Sequence, residues 1–297
     1  MTPLLIAICA GVGGMLGWGL ADFFAKKTID VIGDVQSLAW AGVFGSLAFI
    51  PALVYQHQIL SAPYLLPSGH LEWLGIVFFG ALQAAVYLFA YSGFAKGQIA
   101  VLNPIFASFA GWVALISILF LGEAATAGNV SGLVVIFAGV MLVSLDFQAL
   151  RERRHVLSNT PGFWQIIAAT VIAAFWTLGW DRFVSGKDAI TYAFWMFIFM
   201  TLTAFAYAWM RRLSLSVRQP KIWLFIALIG ICETVAYLAI TIGYSSTIFT
   251  SVVALISGAF SVPTIILARV FLKEKTLRIQ TIGTIVIIVG IALLSLL

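Results

Sequence analysis

The chain repeats itself, and each copy carries an odd number of apolar segments. Gly80–Gly97 reads GALQAAVYLFAYSGFAKG and Gly230–Thr247 reads GICETVAYLAITIGYSST. Superposed at an offset of 150 residues, Gly80 meets Gly230, Gln83 meets Glu233, Tyr87 meets Tyr237 and Gly93 meets Gly243. At an offset of 151, Glu123 meets Glu274, Gly132 meets Gly283, Gly139 meets Gly290, and Ser144-Leu145 meets Ser295-Leu296. A duplication of this length makes two related halves. Their relative orientation follows from how often each half crosses its solvent boundary.

That boundary is a bilayer. The sequence is 62% hydrophobic and 9% charged, against about 25% charged in a soluble domain. A spanning helix needs about 20 mostly apolar residues. Ten such runs are read, at roughly 4–25, 36–55, 72–92, 98–120, 126–145, 162–181, 190–210, 222–243, 248–271 and 277–296. The expected fold is an all-α integral membrane protein with ten transmembrane helices. It divides into an N-terminal five-helix repeat (1–147), a charged connector (148–161) and a C-terminal five-helix repeat (162–297). Five spans per copy force the copies into opposite orientations, the inverted-repeat plan of transporters whose substrate site lies near the midplane.

All but Arg182 and Lys187 of the 16 lysines and arginines fall on one side of these spans. The positive-inside rule makes that side cytoplasmic and puts both termini outside. The net charge of +5 therefore speaks of orientation rather than of nucleic acid. The first apolar run lacks a basic leader and a small-residue cleavage pattern, so it is expected to be retained. Cys9 and Cys232 lie in apolar runs without metal-type spacing, so neither a disulfide framework nor a metal site is expected.

Three stretches resemble the drug/metabolite transporter (DMT) superfamily, EamA type. One is Leu16-Gly17-Trp18-Gly19 with Lys26-Lys27. Another is Phe120-Leu121-Gly122-Glu123 followed by Gly132 and Gly139. The last runs from Leu272-Lys273-Glu274-Lys275-Thr276-Leu277 to Gln280, Gly283 and Gly290. The resemblance covers the whole chain. It implies a carrier for small metabolites, among which amino acids, amines, sugars, nucleotide sugars and drugs are all represented. Many members are drawn with cytoplasmic termini, the reverse of what the loop charges favour here.

The candidate site follows from polar residues in apolar runs. Glu233 is the one charge between Ile222 and Ala268. A lone intramembrane carboxylate usually faces a protein interior or a water-filled cavity. Glu233, Tyr237, Thr241 and Tyr244 share one helix face, as do Gln83, Tyr87, Tyr91 and Phe94 in the other copy. Two matching polar-aromatic faces suggest two walls of one cavity. Glu233 is the candidate for proton coupling, or for counter-ion to a cationic substrate; tight packing by hydrogen bonds is the plainer alternative. Trp18 and Asp22 stand four residues apart in helix one, with Trp176, Trp180 and Asp181 in the matching region of helix six. An aromatic beside a carboxylate can hold an ammonium group, with cation–π attraction worth about 2 kcal/mol when desolvated. Interfacial anchoring is the competing role of these residues. Helix four contributes Asn103-Pro104, Ser108 and Trp112, where a proline frees a backbone carbonyl. The glycines of helix one are expected to serve close helix approach, and no phosphate-loop context surrounds them.

Neither H-E-x-x-H nor G-x-S-x-G occurs, and His57, His70 and His155 are placed in loops, so an enzyme is not expected. The expected function is a secondary transporter of a small metabolite in a lipid bilayer, without cofactor. An amine or amino-acid-like substrate is favoured, with alternating access between the repeats and proton coupling through Glu233. A sugar carrier, a lipid or lipid-carrier flippase of the same fold, and a non-transporting receptor or assembly subunit are the alternatives. The cell membrane of a prokaryote is the expected location. Monomer and homodimer are left open.

Overall fold

The computed structural model describes residues 2–59, 66–97, 99–122, 127–144, 161–272 and 278–296. Among them every regular element is helical. In hydrocarbon each backbone N–H and C=O must be paired within its own segment, which an uninterrupted apolar run achieves as a helix. α1 spans Pro3–Ile32, with Thr2 accepting from the Leu5 amide as its cap and a proline in the first turn. α2 (Asp34–Ala48) and α3 (Ile50–Val54) continue into a wider π turn at Tyr55–Ile59. α4 is His70–Lys96, α5 Ile99–Ala107, α6 Phe109–Phe120 and α7 Ala127–Ser144. The second part holds α8 (Phe163–Val184), α9 (Ala189–Met210), α10 (Pro220–Ser246), α11 (Thr250–Gly258), α12 (Ser261–Leu267), a π turn at Ala268–Leu272, and α13 (Arg278–Leu296).

Seven segments are long and apolar enough to cross a membrane: Pro3–Ile32, Asp34–Ile59, His70–Lys96, Phe163–Val184, Ala189–Met210, Pro220–Ser246 and Thr250–Phe271. The other three expected spans fall on α5–α6, α7 and α13. Side chains facing away from the protein, such as Leu119, Phe175, Val235 and Ile285, are apolar too, as a lipid-facing surface requires. Several helices outrun their apolar cores. At about 1.5 Å per residue the 30 residues of α1 exceed the hydrocarbon thickness of about 30 Å. Its last turns, with Lys26 and Lys27, therefore extend the helix beyond the run read from hydropathy. Gly33 alone separates α1 from α2, and its φ of 94° permits a reversal that a residue with a Cβ would strain.

The helices pack in a pattern that exchange of the two halves leaves unchanged. α1 lies along α10, and α8 along α4; α2 packs on α10, and α9 on α4; α2 meets α9, and α7 meets α13. Duplicated glycines occupy matching contacts. A Cβ on Gly80 would stand 2.8 Å from the Met196 carbonyl of α9, and one on Gly230 2.5 Å from the Ala41 carbonyl of α2. A Cβ on Gly139 would meet Ile287, and one on Gly290 would meet Ile136. The expected packing role of the α1 glycines is also visible. A Cβ on Gly17 would come within 2.6 Å of the Cys232 carbonyl, and one on Gly19 within 2.3 Å of Pro263 Cγ.

The two proline-bearing spans break differently. α11 ends at Gly258 and α12 begins at Ser261. Pro263 lacks an N–H and crowds the carbonyl four residues earlier, which is Ala259 in the gap. The α5–α6 break sits at Ser108, after Pro104, where both the amide and the hydroxyl of Ser108 turn back to the Ile105 carbonyl, at 3.2 and 2.7 Å. Glu123, Glu274 and the connector cations Arg151, Arg153 and Arg154 lie outside the described residues.

Candidate functional site

Helix α1 brings Trp18 and Asp22 to the middle of the protein because its glycine stripe lets α10, α11 and α12 approach closely. α4 brings Gln83, Val86 and Tyr87. α8 brings Ala173, Trp176 and Thr177. Phe106, Phe109 and Phe260, next to the two helix breaks, complete the lining of a narrow cavity of about 20 Å³, room for about one water molecule. Among the described residues no lysine, arginine or histidine lines it, and Asp22 is its one charged residue.

Glu233 stands one layer behind this lining. Its Oε2 accepts a hydrogen bond from the Tyr87 hydroxyl, and the Tyr237 hydroxyl donates in turn to Tyr87 Oη at 3.4 Å. The three groups form a chain from Tyr237 through Tyr87 to the carboxylate, and the two tyrosines are the pair related by the sequence duplication. Trp18 Nε1 approaches the Glu233 carboxyl without completing a hydrogen bond. Asp22 is close enough to Glu233 for their charges to interact. Its Oδ2 accepts from Asn103 Nδ2 at 2.6 Å, so the polar residue before Pro104 orients a carboxylate on another helix. Both acids are buried, at 3% exposure for Asp22 and 4% for Glu233.

Among the described residues, four buried polar atoms around this centre have no hydrogen-bond partner: Trp18 Nε1, Gln83 Oε1, Asn103 Oδ1 and Glu233 Oε1. Leaving a buried donor or acceptor unmade costs about 1–3 kcal/mol. Four such atoms around one cavity form a donor and acceptor set for a polar guest. The aromatic walls are held edge-on. Trp18 meets the Tyr237 ring at 5.8 Å and 81°, and Trp176 meets it at 5.8 Å and 88°.

Two sets of aromatic residues close the cavity. At the end facing the start of α8, Phe106 packs on Phe94, Phe109 and Phe260 at 6.5, 5.7 and 5.7 Å. At the opposite end Trp180 stacks on Trp176 at 5.5 Å and 16°, and its Nε1 donates to Thr241 Oγ1 at 3.3 Å. Beyond Trp180 a wider polar space opens, lined by Asp181, Arg182, Tyr244 and their neighbours.

The structure thus gathers most of the residues singled out from sequence. Trp18, Asp22, Gln83, Tyr87 and Trp176 line the cavity. Glu233, Tyr237, Asn103 and Trp180 contact that lining from behind, and Tyr91 packs on Tyr87 at 5.7 Å. Tyr244 belongs to the wider space instead. Trp112 corrects the expectation: it is 56% exposed and lies outside the cavity lining. Trp112 comes nine residues after Asn103, about two and a half turns of helix, so it looks away from the side on which Asn103 meets Asp22. The cavity phenylalanines were missed. Phe106 and Phe109 flank Ser108, and Phe260 lies three residues before Pro263, so a search centred on helix breaks would have found them.

No curated protein sequence matches the chain. A solved crystal structure of another protein superposes with a TM-score of 0.74, covering 98% of this chain and 96% of that one at 17% identity. At that identity the likeness speaks for the fold alone. The sequence matches the EamA-like transporter family over residues 5–145 and again over residues 160–296. Each match spans one copy of the internal duplication and together they cover nearly the whole chain, so the protein belongs to the EamA-like family and is a membrane transporter of the DMT superfamily.

Proposed function

We propose that the protein is a secondary transporter for a small metabolite carrying an ammonium group, an amine or an amino-acid-like molecule. In this reading ten spanning helices form two inverted five-helix repeats, and access to the central cavity alternates as one repeat tilts against the other. The exchange-symmetric packing, with α1 on α10 and α8 on α4, supports that arrangement. The observation that carries the substrate class is the cavity's charge: an acid, Asp22, on an aromatic wall with no basic side chain among the described residues of the lining. A cationic guest supplies the missing charge, and Trp18 and Trp176 offer ring faces for cation–π contact.

The two acids take different parts. Asp22, on the wall, meets the ammonium group. Glu233, behind Tyr87, takes up and releases a proton, with the tyrosine hydroxyl between it and the guest. Protonation of Glu233 removes a charge that repels Asp22's own. Proton and cationic substrate therefore compete for one pair of acids, which is the logic of an exchanger. Loop charges favour placing the cationic ends of the helices in the cytoplasm and both termini outside, in a prokaryotic cell membrane.

The test is uptake into proteoliposomes under an imposed pH gradient, screened over amines and amino acids. Glu233→Gln is expected to reduce gradient-driven uptake to background while leaving substrate exchange at zero gradient measurable. Asp22→Asn is expected to weaken binding of cationic substrates about tenfold, as for the loss of one charge-assisted hydrogen bond. Full gradient-driven uptake by Glu233→Gln would remove that acid from the mechanism. Preference for neutral sugars would transfer the site to the runner-up reading, in which Trp, Tyr and Gln hold hydroxyls.

A further inference from the structure

A second polar space lies beyond Trp180, where α6 and α8 end, α10 ends and α11 begins. It has a volume of about 600 Å³. Its wall carries two opposite charges, Asp181 and Arg182, together with Ser117, Tyr244, Thr247 and Thr250. Asp181 is only 8% exposed, and its carboxyl bonds to the Thr250 hydroxyl. Arg182 interacts with it electrostatically, yet no ion pair joins the two. Among the described residues the one ion pair found is Lys26–Asp30, at 2.7 Å.

A buried acid and an exposed guanidinium that border one space without neutralising each other make a bipolar wall. A simple amine would use only the acid, and a simple carboxylate only the arginine. The guest that satisfies both carries an ammonium group and a carboxylate close together. We infer that this vestibule is a separate capture site for zwitterions, with the ammonium group on Asp181 and the carboxylate on Arg182, from which the guest passes to the central cavity when the Trp180–Thr241 contact opens. This rests on the reading of the protein as a transporter of ammonium-bearing metabolites and narrows it to zwitterionic ones.

The geometry gives a direct test. Ile248 borders the same space and is 74% exposed. In a chain carrying Cys9→Ala and Cys232→Ala, Ile248→Cys supplies one thiol on the vestibule wall. Its modification rate by a neutral methanethiosulfonate is measured in nanodiscs with each of the standard amino acids, and with the amine made by decarboxylating each. At least one amino acid is expected to slow modification, and its amine to protect about tenfold less well, as for one lost charge-assisted bond. Asp181→Asn is expected to abolish protection by both. Arg182→Gln is expected to bring the amino acid down to the level of its amine. The same protection is expected with Glu233→Gln added, since the vestibule lies outside the Trp180 layer. Failure of gradient-driven uptake is read separately, so loss of the transport reading and loss of this site are distinguishable. No protection by any amino acid, or protection that persists in Asp181→Asn, overturns the proposal.

Discussion

Helices α4 and α10 occupy matching places in the two halves, and they differ in one respect. Both place a glycine against the backbone of a neighbour, Gly80 on α9 and Gly230 on α2. Both present a tyrosine to the centre, Tyr87 and Tyr237, and these touch. One turn earlier α4 carries Gln83 and α10 carries Glu233. Duplication has preserved the contacts that shape the bundle, while the ionisable group stands on one side only. The packing of the two helices thus matches, and the site they border does not: Gln83 and Tyr87 line the cavity, whereas Glu233 and Tyr237 stand behind it. A cavity whose wall and acids differ between the halves can bind a guest in a fixed orientation, which a chemically symmetric one does not enforce.

The strongest test of this comparison moves the acid. Gln83→Glu combined with Glu233→Gln relocates the carboxyl to the matching position of the other half. Gradient-driven uptake is expected at background in Glu233→Gln alone and to return in part in the double variant. No recovery would mean that the surroundings of the two positions differ by more than the acid itself. A smaller effect should separate the tyrosines. Tyr87 bonds to the carboxylate, so Tyr87→Phe removes a charge-assisted bond worth about 1.5–3 kcal/mol. Tyr237 donates to a neutral hydroxyl at 3.4 Å, and Tyr237→Phe is expected to cost about 0.5–1.5 kcal/mol. Apparent substrate affinities of the two variants measure that difference, and equal losses would break the asymmetry.

The glycines should behave alike where the polar residues do not. Gly80→Leu and Gly230→Leu both force a side chain against backbone, and overpacking of this kind costs about 1–3 kcal/mol. Thermal unfolding in detergent is expected to show a lowered Tm for both. A loss confined to one would mean that the halves do not share their packing. The smallest effect is expected at Trp112. It lies outside the cavity, so Trp112→Ala should leave substrate affinity within about 0.5 kcal/mol of the parent.

The sequence carried the parts of this architecture that depend on local composition. Apolar runs located the helices, because a bilayer demands long uninterrupted apolar segments. The duplication located the glycines and tyrosines, because close helix approach and a central contact each tolerate few residue types. Glu233 was conspicuous for its cost. Its depth was not legible: hydropathy marks it as an interior acid but not as one screened from the cavity by Tyr87. The Asn103–Asp22 bond joins residues 81 apart, and no local pattern links them. Trp112 shows the complementary failure. It shares a span with Asn103, but about two and a half turns of helix separate them, so the two look in opposite directions. The phenylalanines of the cavity read as ordinary membrane-helix residues until the breaks bring them inward.

The contact between Tyr87 and Tyr237 has a consequence for how such a carrier would be watched at work. In the proposed inverted-repeat arrangement, two matching residues that touch lie beside the axis relating the halves. If the halves trade conformations, that point is the fulcrum, and its geometry is the same at the beginning and end of each cycle. A pair of labels placed there would stay silent through transport. Labels at the two ends of α4 and α10 would swing in opposite senses, so the silent centre provides the internal zero against which their movement is read.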